Sequence, residues 1–135
     1  MDDELRRIRE KRLREWQDKL KKPAGDRVFP ISQDMFPALL RDNARLVVDF
    51  WAEWCGPCRQ VSPVIDELAK EFAGSISFVK CNTDENPQLA QRLGISAIPT
   101  IMFFSSGALA RRMTGAYPKE KIKAEISRVF GLTME

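Results

Sequence analysis

Residues 48–58 read Val48-Asp49-Phe50-Trp51-Ala52-Glu53-Trp54-Cys55-Gly56-Pro57-Cys58, an apolar run that ends in two cysteines three positions apart. The run Leu46-Val47-Val48-Asp49-Phe50-Trp51 is apolar on both faces apart from one carboxylate, the pattern of a central parallel strand. From Gly56 to about Phe72 the period changes: Val61, Val64, Ile65, Leu68 and Phe72 share one face of a helix, with Pro63 expected to kink it. Cys55 and Cys58 therefore stand at a strand-to-helix junction. Positions i and i+3 of a first helical turn share a face, so the two sulfurs can come within bonding distance. A bond closing so small a loop stabilises by only about 2 kcal/mol, which makes it a poor staple and a good switch. The unpaired N–H groups and positive dipole of the helix start favour a thiolate at Cys55 by roughly 0.3–2 kcal/mol.

Outward from this junction, strand and helix signals alternate. Before it lie an extended piece at about 27–31, Ser32 as a candidate N-cap, and a short helix to about Arg41. After it come a strand at 75–81, a helix at 86–93 closed by Gly94, and a strand at 100–104. Ser105-Ser106-Gly107 turns the chain back into an antiparallel strand at 108–114, and Ile122, Ile126, Val129 and Phe130 mark a last helix stopped by Gly131. The order β-α-β-α-β-α-β-β-α predicts an α/β fold, a mixed sheet covered by helices on both faces.

The chain has 135 residues, enough for one core. Residues 1–22 hold 9 Lys/Arg and 6 Asp/Glu, leaving 13 of each sign in the remainder of the chain's 22 and 19. The main domain is thus formally neutral and lacks the basic stripe of a nucleic-acid binder. Residues 1–24 form a charged helical arm and linker, and residues 25–135 the main domain. In the arm Leu5, Ile8, Leu13, Trp16 and Leu20 fall within an arc of about 140°, and Pro23 ends the helix. An isolated helix of this length is only marginally stable in water. Its stripe is expected to dock on this chain or a neighbouring copy, self-association being one such route, and to stay out of the chemistry.

The chain has no histidine, which excludes Ser-His and Cys-His catalysis. A metal site normally takes four ligands, and three cysteines without histidine do not supply them; no metal or other cofactor is expected. No apolar run approaches the roughly 18 residues of a membrane span, and the start of the sequence lacks the apolar stretch of a secretory signal. A cytoplasmic protein without membrane or nucleic-acid partners is expected, in a compartment where structural disulfides are rare. Cys81, at a strand end, reads as a small buried hydrophobe. Asp49 in a central strand must be paired, with Lys80 as the candidate, or hold its proton.

The segment 48–58, down to Trp-Cys-Gly-Pro-Cys, resembles the active site of the thioredoxin family. The resemblance continues through Asn82-Thr83-Asp84-Glu85-Asn86-Pro87, Gly94-Ile95-Ser96-Ala97-Ile98-Pro99-Thr100, Gly107 and Gly115, and spans about residues 27–131. It implies the thioredoxin fold and a protein-disulfide reductase working by dithiol–disulfide exchange through Cys55 and Cys58. It makes Asp49 the buried acid behind the cysteines and Lys80 its modulator. Ile98-Pro99 becomes a cis peptide beside the disulfide, with the Ile98 backbone open to a substrate strand. Trp54, Gly56, Pro57, Ile98, Pro99 and Gly115 become the substrate-docking surface, while Trp51 is expected to pack in the core. Gly56-Pro57 resembles the reducing members, since oxidants and isomerases often carry a histidine there. The loop Ala116-Tyr117-Pro118 departs from the commonest members, which bears on substrate preference. The implied partners are disulfide-containing proteins and an external thioredoxin reductase that restores the dithiol. The alternative is a binding module that uses the fold as a scaffold and the arm to hold a partner.

Overall fold

The computed structural model describes residues 2–21 and 27–132 and, within the helix at 2–21, the side chains of residues 3–15. Strand β2 (Arg45–Trp51) forms where the sequence is most continuously apolar, and Leu46 to Phe50 are all buried. It is the middle of five strands ordered β1-β3-β2-β4-β5, with β1 at Phe29–Pro30, β3 at Ser77–Asn82, β4 at Thr100–Ser105 and β5 at Ala108–Thr114. The expected parallel environment of β2 is half right. It runs parallel to β3 and antiparallel to β4. Both pairings bury it equally, so its composition does not distinguish them.

Helices cover both faces. On one, α3 (Gly56–Glu71) and α5 (Lys119–Phe130) bring Val61, Ile65, Leu68, Ile122 and Ile126 against Val47, Ile101 and Phe103. On the other, α2 (Phe36–Asp42) and α4 (Pro87–Arg92) bring Phe36, Leu39 and Leu89 against Leu46, Val48, Phe50 and Met102. Each fully buried large side chain contributes about 1.5–3 kcal/mol. Side chains alternate along a strand, so Asp49 shares the α3 face with Val47, and Cys81 shares the opposite face with Val79.

Local chemistry sets the boundaries. Pro63 lies inside α3, which continues through it. Ser106 and Gly107, with φ of 50° and 85°, form the two-residue turn between β4 and β5. Ser32 precedes a tight turn at Gln33–Met35 but makes no capping bond with its side chain. The Met35 N–H instead bonds the Ser32 carbonyl oxygen at 3.0 Å, a short-range geometry that leaves no open first turn to cap.

The arm forms α1 (Asp2–Lys21). Leu13 is half-buried, and with Arg9 and Arg12 it faces Ser32, Asp34 and Met35. Leu5 and Ile8, from the same predicted stripe, stay exposed. The side chains of Trp16 and Leu20 lie outside the described residues, as does the linker at 22–26.

Candidate active site

The C-terminal ends of the parallel strands β1, β3 and β2 and the start of β4 meet at one end of the sheet. Cys55 is the residue before α3; its backbone is extended, with φ −87° and ψ 107°. Its Sγ accepts a hydrogen bond from the Cys58 N–H at 3.2 Å. Pro57 suits this first turn, where an N–H would have no intrahelical partner. Negative charge on a sulfur so placed is stabilised by the helix start. The two cysteines form a disulfide with their Cα atoms 5.3 Å apart. Both side chains are nearly covered, so exposure does not tell them apart. Position does: Cys55 stands outside the helix, and Cys58 lies one turn in.

Around the pair runs an uneven rim. Trp54 is 71% exposed and is no ordinary buried aromatic. Its Nε1–H donates to Asp84 Oδ2 at 2.7 Å, which holds the ring at the surface. Gly56 and Pro57 are exposed, and Ile98 and Gly115 are half-buried. The Ile98 carbonyl oxygen lies 3.7 Å from Cys55 Sγ. The Ile98-Pro99 peptide is cis, and the carbonyl of the buried Pro99 accepts from the Gly115 N–H at 2.9 Å. Gly115 has φ 116°, a conformation that L side chains rarely adopt.

On the α3 face of β2 sits Asp49, only 3% exposed. Its β3 partner in register is Lys80, yet no ion pair joins them among the described residues, and Asp49 Oδ1 has no hydrogen-bond partner there. Lys80 Nζ instead lies 5.6 Å above the centre of the Trp51 ring. Burial pushes the Asp49 carboxyl up to about 7; the Lys80 charge opposes this in part, and Asp66 on α3 adds to it. Of the two alternatives for Asp49, the ion pair with Lys80 is not made, and Lys80 acts on it through its charge at a distance. Trp51 also departs from expectation. It is half-buried and packs with Ile98 against Ala52, Cys55 and Cys58 rather than in either main core. Cys81 is buried among Phe50, Val79 and Leu89 on the other face. Its thiol is pushed up to about 11, first by burial and then by Glu85.

Three features were not singled out from sequence. Asp84, Asp66 and the Gln33–Asn86 contact, whose backbone-to-side-chain bond is 2.7 Å, act across 30 or more residues or between elements. Only the motif Asn82 to Pro87 hinted at the first. Among the described residues, no cluster of three or more His, Cys, Asp or Glu could hold a metal. No helix there is long and apolar enough to cross a membrane.

A redox-active cysteine pair at the start of a helix, on a five-stranded mixed sheet and beside a cis-proline, defines a dithiol–disulfide exchange protein. The model of the thioredoxin family matches residues 27–128. Thioredoxin from Pyropia yezoensis is 47% identical over 90 residues, 67% of this chain and 84% of its own length. Thioredoxin 1 of a Nostoc species matches to the same extent. Among solved structures, a mutant thioredoxin from Halobacterium salinarum superposes with a TM-score of 0.75 at 28% identity, covering 82% of this chain and 97% of that one. The chain belongs to the thioredoxin family. It is a disulfide reductase acting through its Cys-x-x-Cys cysteines, with an additional N-terminal helix.

Proposed function

We propose a division of labour in which Cys55 attacks and Cys58 resolves. Thiolate Cys55 attacks a sulfur of the substrate disulfide; a Cys55–substrate bond forms, and the other substrate sulfur leaves as a thiolate and takes up a proton. Cys58, losing its proton, then attacks Cys55 Sγ. The Cys55–Cys58 bond forms and the second substrate thiol is released. The substrate gains two electrons and the enzyme gives up two. The observation that carries this reading is the Cys55 sulfur at the helix start, accepting from the Cys58 N–H at 3.2 Å.

Asp49 is the proton acceptor for Cys58 in this scheme. A carboxyl near 7 exists in both forms at neutral pH and can take a proton and return it. Lys80 acts through its charge on Asp49 and touches no substrate. Trp54, Gly56, Pro57, Ile98 and Gly115 receive the substrate, with the Ile98 backbone as the edge on which an extended segment lies, and Pro99 fixes that edge through its bond to Gly115. An external reductase restores the dithiol, in the cytoplasm or another reducing compartment; the related M-type thioredoxin of Pisum sativum is named as chloroplastic.

Residues 1–24 are an appendage apart from the chemistry, a reading supported by the half-buried Leu13, which faces Ser32 and Met35 across a small cavity. The test is a trapping experiment. Cys58→Ser should attack once and accumulate a mixed disulfide, whereas Cys55→Ser should form none. Equal adduct from the two variants would reverse or void the assignment.

A further inference from the structure

The net charge of the arm hides a concentrated feature. Between residues 6 and 14 lie Arg6, Arg7, Arg9, Lys11, Arg12 and Arg14 against a single carboxylate, Glu10. All six cations are exposed. Among the described residues only Arg6 has an ion pair, with Asp3, itself on the surface. Leu5 and Ile8 stand exposed at the edge of this patch. A basic surface bordered by exposed apolar side chains is what an acidic protein partner fits.

The patch has a fixed relation to the active site. The residues facing α1, namely Ser32, Asp34 and Met35, follow β1, and β1 runs parallel to β2 through β3. They therefore lie at the end of the sheet that carries the disulfide. The Gln33 N–H bonds Asn86 Oδ1 at 2.7 Å, the Asn82 side chain accepts from the Asp84 N–H at 2.9 Å, and Asp84 holds Trp54. The seat of the arm and the substrate rim are joined loops. Two strand spacings and one helix packing distance put the patch on the order of 20 Å from Cys55. A partner that extends on the order of 20 Å from its disulfide can reach the patch. Close to the cysteines the exposed acids Glu53 and Asp84 outnumber the exposed Arg59, which bonds the Glu53 carbonyl oxygen, so a matching partner carries its acidic surface displaced from its disulfide.

We propose that α1 is a substrate-selecting surface. It favours disulfide proteins that carry an acidic patch on the order of 20 Å from the reducible bond, and it acts on capture, not on exchange. The proposal rests on the disulfide-reductase function and names its preferred substrate class. Like any steering by exposed charges, the effect is screened by salt.

The test uses the pre-reduced full chain and synthetic disulfide-looped peptides. Each peptide has a neutral linker of about six residues, a reach of roughly 20 Å, ending in a run of either glutamates or glutamines. The second-order rate of reduction for the glutamate peptide should exceed that for the glutamine peptide about fivefold at low salt and match it near 0.5 M salt. The combined variant Arg6→Gln, Arg7→Gln, Lys11→Gln and Arg14→Gln should lose the preference and still reduce the glutamine peptide at the parent rate. Equal rates for both peptides with the parent chain would overturn the proposal, as would a preference that survives neutralisation. Equal peptide rates together with oligonucleotide binding that neutralisation abolishes would assign the patch to nucleic acid instead. Failure to reduce either peptide would strike at the reductase function itself, so the two failures are distinguishable.

Discussion

The start of α3 and the end of β3 each hold cysteine, and they make opposite uses of it. Cys55 and Cys58 lie where a helix leaves N–H groups unpaired, beside a solvent-facing tryptophan. Cys81 lies a few residues from that end of the sheet but on its other face, among Phe50, Val79 and Leu89, with its thiol raised to about 11. A thiol so raised stays protonated at physiological pH and does not attack. Burial alone does not separate the regions, because all three residues are nearly covered. What differs is what covers them: an unpaired helix end in one place, and in the other an apolar wall that raises the thiol by desolvation, with Glu85 adding to it. Reactivity here follows position and not residue type.

The largest break in this comparison is Cys55→Ser, which should cut turnover on any disulfide by about 1000-fold or more, since no second nucleophile replaces it. Insulin-disulfide reduction measured against the parent checks it. The next is Asp49→Asn. Removing the proton acceptor should slow the second step about 10- to 100-fold near neutral pH, while the first step, followed as mixed disulfide in rapid-quench samples, keeps its rate.

The same substitution has a signature in stability. Folding raises the Asp49 carboxyl from its ordinary 3.8 to about 7, so between those values the folded state binds more protons than the unfolded state. Stability should then fall as pH rises from about 4 to 7 and level off above, for a total on the order of 4 kcal/mol at most. Asp49→Asn should flatten this slope and be the more stable protein at pH 8. Urea unfolding of the oxidised forms at several pH values reads it directly. Parallel curves for the two proteins would mean that Asp49 ionises without penalty.

Smaller effects come from the regions set apart from the chemistry. Deleting residues 1–24 should leave the rate on a small neutral disulfide within about twofold, well under 1 kcal/mol in the barrier, and lower thermal stability through loss of the Leu13 contact. Cys81→Ser should barely change that rate. A hydroxyl in its apolar pocket should destabilise by about 1–3 kcal/mol, visible as a lower melting temperature with unchanged activity.

The same contrast marks how far the residues could be read in advance. The element order was legible because each buried face writes a local period: the apolar run of β2, the Val61-Ile65-Leu68 stripe of α3, and the Ser106-Gly107 turn. The position of the cysteine pair at a helix start was legible for the same reason. Contacts set by the meeting of distant elements were not. That β2 runs parallel on one side and antiparallel on the other leaves no trace in its composition. The Trp54–Asp84 bond and the influence of Asp66 on Asp49 depend on how β3 and α3 are seated. Lys80 does sit in register with Asp49, as strand pairing implied, but its long chain carries Nζ over Trp51, a rotamer choice that spacing does not express. Of the arm, the helix followed from the stripe, whereas the division between the half-buried Leu13 and the exposed Leu5 and Ile8 depends on where the domain ends.

The most direct measurement of position over residue type is timed alkylation of the reduced full chain at neutral pH with iodoacetamide, the label located by peptide mass analysis. The expected order is Cys55 first, Cys58 well behind it, and Cys81 unlabelled until the protein is unfolded. Labelling of Cys81 in the folded protein at a rate close to that of Cys55, or of Cys58 ahead of Cys55, would contradict the account.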